Sequence, residues 1–390
     1  MTKRVLGKTL RTDTVTLILV LIAFAVVTSL SITWLVSRSA SKPLGKPEKQ
    51  FSADVQGRLD AVLDTYVSQG HVAGAIVGIW VPGVGTWVRV RGFADQKTHQ
   101  PMTATDKFRI ASITKTFVAT VALQLVDEKR LGLDDPVSKY LPSLPNGSSI
   151  TVRQLLNHTS GLFDFVEDSA FQKASTSNPL KKWTQAQLLA YGTSHAPYFA
   201  PGTGWHYSNT NYIVLGLIIE AVTGQKVGAV IDSKILKPLQ PQGTTYMTGL
   251  PTKEPYSKGY VNDNGILTEA SDIDPSAGGA SSAMMSDMAD LKVWAEALGR
   301  GDLLSEEAQA ERMKTGATDG SPMAYGLGIM KWGDSVGHEG NAFGYSTAMF
   351  YLPSKRATIV VFLNSVSNSR LSATNAFIRF AQVLFGSQTP

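Results

Sequence analysis

Three short stretches of the chain carry side chains that could do chemistry together. Ser112-Ile113-Thr114-Lys115 opens a long apolar run. In a helix, positions i and i+3 share a face, so Lys115 would stand beside Ser112. A serine hydroxyl is a weak nucleophile at neutral pH and needs a base. A lysine serves when burial and neighbours favour its neutral amine. At a helix start, Ser112 also has free backbone N–H groups nearby. The competing reading is a capping serine and a solvated lysine, and the spacing alone discriminates little, because Ser39 and Lys42 repeat it. Tyr207-Ser208-Asn209 precedes a second apolar run. Its phenol can relay a proton. Its amide can hold a lysine amine and a substrate carbonyl. The competing reading is a packing aromatic and an N-cap asparagine, and Tyr260-Val261-Asn262 repeats the pattern. His338-Glu339-Gly340 is the only His-x-Gly in the sequence. On a strand edge it could align an extended substrate through backbone hydrogen bonds, with Gly340 letting the substrate approach closely. A turn between two strands would suit the same residues.

The elements that must position these groups follow from periodicity. Apolar residues from Val55 to Tyr66 recur at helical spacing. Residues 73–81 and 86–92 read as strands around a Pro-Gly turn. Helical patterns then dominate, over 112–129, 151–156, 184–191, 209–223, 227–235 and 286–298. Strand character returns at 326–332, 347–352 and 358–363, and a last helix is expected over 371–385. Strands at both ends around a helical middle predict one sheet built from distant segments, with the helical middle as an inserted subdomain.

Composition narrows the classes. The chain has 390 residues, 43% hydrophobic and 17% charged, enough apolar material for a large core. With no cysteine, disulfides and thiol catalysis are excluded. Eight basic and two acidic residues in the first 50 account for +6 of a formal net charge of +5, leaving −1 for the rest. A basic nucleic-acid footprint is therefore not expected. Residues 14–36 contain no charge and as a helix would span roughly 34 Å, enough to cross a bilayer. The organisation expected is a basic cytoplasmic tail (1–13), a transmembrane anchor (14–36), a Ser/Lys/Pro-rich linker (37–50) and an extracytoplasmic domain (51–390). The positive-inside rule gives that orientation, with the chain single-pass in the plasma membrane. A cleaved signal peptide is the alternative, but its apolar region would be shorter.

The order and settings of the three motifs resemble the serine β-lactamase and penicillin-binding family, whose signature is Ser-x-x-Lys, then Tyr/Ser-x-Asn, then a Lys/His-x-Gly strand. Phe108-Arg109-Ile110-Ala111 before Ser112, the stretch Leu155-Leu156-Asn157-His158-Thr159-Ser160-Gly161-Leu162, and Tyr325-Gly326-Leu327-Gly328 agree as well. Within the family the chain is most similar to the class C β-lactamase and D-Ala-D-Ala carboxypeptidase branch. The resemblance implies an α/β fold of the β-lactamase/transpeptidase type: an antiparallel sheet flanked by helices, made from both chain ends, plus an inserted all-helical subdomain. It implies Ser112 as the acylated nucleophile, Lys115 as its base and Tyr207 as proton shuttle. Asn209 would hold Lys115 and the substrate. The N–H groups of Ser112 and Asn341 would form the oxyanion hole, and His338, Glu339 and Gly340 would belong to the substrate-binding strand. His158 is expected to be structural. No metal and no cofactor is expected. The substrate expected is a peptidoglycan stem peptide, cleaved by a D-alanyl-D-alanine carboxypeptidase. An esterase, a class C-like β-lactamase and a non-catalytic penicillin sensor are the alternatives. Two departures bear on that choice. Glu339 stands where the family has a small hydroxyl residue, and Met330, with Lys331 adjacent, stands near the place of a basic residue for a substrate carboxylate. A protonated His338, sustained by Glu339, or Lys331 would have to supply the cation.

Overall fold

The computed structural model describes residues 49–386 apart from 69–71, 252–255, 317, 319–322 and 368–371. The anchor at 14–36 and nearly all of the linker lie outside the described residues.

Helix α1 (Ala53–Ser68) leads into strands β1 (Gly74–Val81), β2 (Gly85–Asp95) and β3 (Gln100–Pro101). The chain returns much later as β4 (Ala324–Tyr325), β5 (Met330–Trp332), β6 (Ser335–Ala342), β7 (Tyr345–Leu352) and β8 (Ala357–Leu363). These eight strands form one sheet in the order β3-β2-β1-β8-β7-β6-β5-β4, and every pair is antiparallel. The first and last thirds of the domain meet at β1 and β8, where Ala75 pairs with Leu363 and Trp80 with Thr358. Strands β1, β7 and β8 are buried at every residue. That explains their continuous apolar runs, since a strand covered on both faces has no reason to alternate.

One face of the sheet carries α1 and the last helix, α6 (Ala373–Phe385), around Trp87, Phe350, Phe377 and Phe380. The other face packs against helices of the middle segment. These are α2 (Thr114–Asp127), α3 (Val152–Leu156), α4 (Asn209–Thr223) and α5 (Met288–Arg300). Helix α4 is apolar almost all round and buried along most of its length, and it stops at Gly224 in a left-handed cap with φ 70°. Among the described residues no single helix is long and apolar enough to cross a membrane.

The inserted middle is mostly helical rather than all-helical. Met284–Ser286 bridges Phe108–Arg109 and Thr245–Tyr246, and Tyr260–Asp263 pairs with both Ile266–Glu269 and Ser365–Ser367. Strands of two to four residues, paired to partners distant in sequence, are too short to carry a periodic signal. The strand expected over 326–332 is split into β4 and β5 by a turn at Gly328, φ 75°. Strand β6 spans the whole His-x-Gly stretch, which Gly337 and Gly340 disguise as turn.

Candidate active site

Ser112 lies on a 3-10 turn, Ala111–Ile113, that feeds α2, not inside a helix beginning at Ser112. The turn follows Ala111 at φ 45°, a left-handed conformation costly for a residue with a Cβ. It aims Ser112 at a cavity of about 500 Å³. Gly340 makes the turn fit. A Cβ there would stand 2.3 Å from the Ile110 carbonyl oxygen and 2.7 Å from Thr347 Oγ1. A close approach at Gly340 is made by the protein's own Ser112-bearing segment.

Lys115 is one turn further on and fully buried. Its Nζ lies 3.0 Å from Ser112 Oγ, 2.7 Å from Asn209 Oδ1 and 3.1 Å from the Ser281 carbonyl. A neutral amine has two N–H donors and one lone pair. Asn209 and Ser281 take the two donors, which leaves the lone pair for the Ser112 hydroxyl. Burial lowers the Lys115 pKa to about 7, against the opposing pull of Asp164. At neutral pH a sizeable fraction is thus the free base.

Asn209 cannot turn its amide round. Its backbone N–H donates to Asp164 Oδ1 at 3.1 Å and its Nδ2 to Asp164 Oδ2 at 2.9 Å, so only its carbonyl is left for Lys115. Asp164 is itself buried, which pushes its carboxyl upward. Sequence reading missed this residue. It follows the Leu162 stretch by two positions, and no motif or periodicity marks it.

Tyr207 sits at the wall of the cavity, with Lys115 Nζ 4.8 Å from its ring centre and its phenol hydrogen-bonded to Ser112. Burial raises its pKa well above the ordinary tyrosine range, so it is a proton donor at neutral pH and not a phenolate. His158 braces the segment from behind. Its Nδ1 accepts from Ser208 N at 3.1 Å, and its ring packs 4.3 Å from that of Tyr207. Burial holds His158 far below the usual imidazole range, and it is structural, as the sequence suggested.

His338 departs from expectation. It is fully buried, its Nδ1 donates to the Glu339 carbonyl at 2.6 Å, and its Nε2 therefore accepts from Tyr325 Oη at 2.8 Å. Burial first, and then the charge of Lys115, lowers its pKa to about 3. Fully buried, held neutral and not part of the cavity wall, it is not placed to be the cation for a substrate carboxylate. Nor does Lys331 serve. Met330 lines the cavity, and its neighbour on β5 points to the other face. Glu339 does not sustain an imidazolium either: its carboxylate accepts from Thr374 Oγ1 at the start of α6, and the residue forms part of the cavity wall. Asn341 also lines the cavity, two residues further along β6. Among the described residues no lysine, arginine or histidine forms part of the cavity wall. Trp205, Tyr325, Met323, Met330, Phe171 and Phe343 make it largely apolar. Among the described residues no three His, Asp or Glu side chains converge as metal ligands would.

Comparison with known proteins agrees with this geometry. The chain is 31% identical over 298 residues to the putative penicillin-binding protein PbpX of Bacillus subtilis, covering 73% of this chain and 68% of that one. It is 33% identical over 221 residues to esterase EstB of Burkholderia gladioli, covering 53% of this chain and little more than half, 56%, of the esterase. Among solved structures, a D-stereospecific amidohydrolase from a Streptomyces species superposes with a TM-score of 0.76 at 34% identity, covering 85% of this chain and 99% of that one. The D-amino acid amidase of Ochrobactrum anthropi gives 0.74 at 28% identity, covering 86% and 100%. The sequence model described as Beta-lactamase matches residues 59–383. The chain belongs to the beta-lactamase family and is a serine hydrolase of that fold.

Proposed function

We propose that the chain is an amidase or esterase that forms an acyl-enzyme on Ser112 and acts on small substrates whose departing portion carries no carboxylate. The observation that carries this reading is the cavity wall: among the described residues it includes a glutamate, Glu339, and no lysine, arginine or histidine. A terminal carboxylate placed there would lose its hydration and meet Glu339 without compensation. That weighs against the D-alanyl-D-alanine carboxypeptidase expected from the resemblance. The esterase and amidases among its relatives support the reading.

In this mechanism neutral Lys115 takes the proton of Ser112 as Oγ attacks the substrate carbonyl. The N–H groups of Ser112 and Asn341 face the developing oxyanion. Tyr207 gives its proton to the departing nitrogen or oxygen and recovers one from Lys115. Water then attacks the acyl-enzyme, the same pair accepting its proton and returning one to Ser112.

The test is a turnover comparison of D-amino acid amides, short p-nitrophenyl esters, nitrocefin and D-Ala-D-Ala peptides, each with wild type and Ser112→Ala. Amides or esters should show the highest Ser112-dependent kcat/KM. Peptides hydrolysed as well as neutral amides would refute the reading. We also propose, from residues 14–36, that the domain is held outside the cytoplasm by an uncleaved anchor. A mature chain beginning near residue 40, or a domain shielded from protease added to cells with permeabilised walls, would contradict this.

A further inference from the structure

Glu339 is costly where it stands. Its carboxyl is held among protein atoms at the cavity wall, and burial raises its pKa. Among the described residues only one of its two oxygens has a protein partner, the Thr374 hydroxyl. A hydroxyl can donate to a carboxylate, and the first turn of a 13-residue helix favours negative charge there. Among the described residues the remaining oxygen meets no protein cation. The cavity that Glu339 lines is also walled by Trp205, Tyr325, Met323 and Met330, and the Trp205 and Tyr325 rings lie 6.2 Å apart at a tilt of 53°. Aromatic faces attract a desolvated organic cation, and thioethers are soft, adaptable neighbours for its methyl groups. A carboxylate and aromatic rings lining one cavity are complementary to an organic cation.

Its place in the reaction follows from two neighbours. Glu339 and Asn341 are i and i+2 on β6, on one side of the strand and roughly 7 Å apart. The charge of Glu339 also acts on the Tyr207 phenol. Tyr207, the donor to the departing group in the proposed mechanism, lines the same cavity as Glu339, so a departing group protonated by Tyr207 shares that cavity with Glu339.

We propose that Glu339, with Trp205 and Tyr325, makes the leaving-group side of the cavity a subsite for an organic cation, so that the preferred substrates are esters or amides of amino-alcohols or diamines bearing an ammonium group. This rests on the hydrolase reading above. For a choline-type ester the acyl carbon–oxygen bond breaks as the Ser112 Oγ–carbon bond forms. The serine proton passes through Lys115 and Tyr207 to the departing alkoxide, which leaves as the ammonium alcohol. Water then releases the acid.

The experiment uses the full-length chain with three esters of one acyl group: the choline ester, its uncharged isostere the 3,3-dimethylbutyl ester, and an ester whose alcohol ends in a carboxylate. Wild type should favour the choline ester over the isostere by at least about 10-fold in kcat/KM and should disfavour the anionic ester. Glu339→Gln should bring the choline-to-isostere ratio close to 1. A wild-type ratio near 1, or a ratio unchanged by Glu339→Gln, overturns the subsite while Ser112-dependent hydrolysis of the isostere leaves the hydrolase reading intact. A second readout needs no turnover. Phenyltrimethylammonium should slow labelling of Ser112 by a fluorophosphonate in wild type, and its uncharged analogue tert-butylbenzene should not. Equal effects of the two compounds overturn the subsite even if the variant fails to fold. Normal labelling with no ester or amide hydrolysed would sink the hydrolase reading separately.

Discussion

Asp164→Asn should move the pH at which the enzyme switches on. In the proposed mechanism the base is neutral Lys115, so kcat/KM for an uncharged ester should rise with pH as Lys115 loses its proton, with a midpoint at about 7. The carboxylate of Asp164 opposes that loss, since it favours the ammonium form. It acts across the Asn209 amide, which bonds Asp164 at 2.9 Å on one side and Lys115 at 2.7 Å on the other. The separation is roughly 7 Å, and at an effective dielectric of about 20 the attraction is worth roughly 2 kcal/mol, or rather more than one pKa unit. Asparagine removes the charge but keeps one carbonyl to accept from Asn209 Nδ2. The ascending limb should therefore shift to lower pH by about one unit, while the plateau reports how well Asn209 is still held. The assay is kcat/KM for one neutral ester from pH 5 to 9, whose low-substrate limit reports the free enzyme. A midpoint that stays in place or moves upward would refute the assignment of the limb to Lys115, or of its tuning to Asp164. A fall in the plateau alone would mean that Asp164 matters only for geometry.

Three further outcomes are expected. Ser112→Ala should abolish fluorophosphonate labelling with little change in melting temperature, while Lys115→Met and Tyr207→Phe should each slow acylation by at least about 100-fold, measured as labelling rate; normal labelling of Ser112→Ala would reject the nucleophile. Gly340→Ala places a Cβ 2.3 Å from a backbone oxygen that cannot swing aside; it should cost about 2 kcal/mol and lower Tm by about 3 °C, with Ser112 labelling lost as well, and an unchanged melt would show that β6 does not clamp the Ser112 turn. The fully buried, neutral His338 binds its proton less readily in the folded chain, with a pKa of about 3 against 6.5 for an ordinary imidazole, so its contribution is present above pH 6.5 and is lost as pH falls towards 3, by up to about 1.4 kcal/mol per pH unit; the Tm advantage of wild type over His338→Asn should shrink between pH 7 and 4, and a constant gap would show that His338 is not neutral in the fold.

The sequence by itself marked Ser112, Lys115 and Tyr207 as candidates and laid out most of the architecture, because each is written locally. Ser112 and Lys115 are three residues apart, and the fully buried strands β1, β7 and β8 announce themselves as apolar runs. Helix α4 is similarly legible from its apolar length. What the sequence could not show is which of these groups are charged and which way they face. Asp164 is 45 residues from the Asn209 it locks. Ser281, whose carbonyl helps set the Lys115 lone pair, is 166 residues from it. His338 and Glu339 are neighbours in the chain, yet β6 gives them different fates. One meets Tyr325 in a buried contact where desolvation disfavours protonation, and the other belongs to the cavity wall and bonds Thr374. The sequence named both as candidates for handling a substrate carboxylate. Burial decides otherwise: the cost of a charge depends on its solvation and its partners, and these exist only once distant segments have packed.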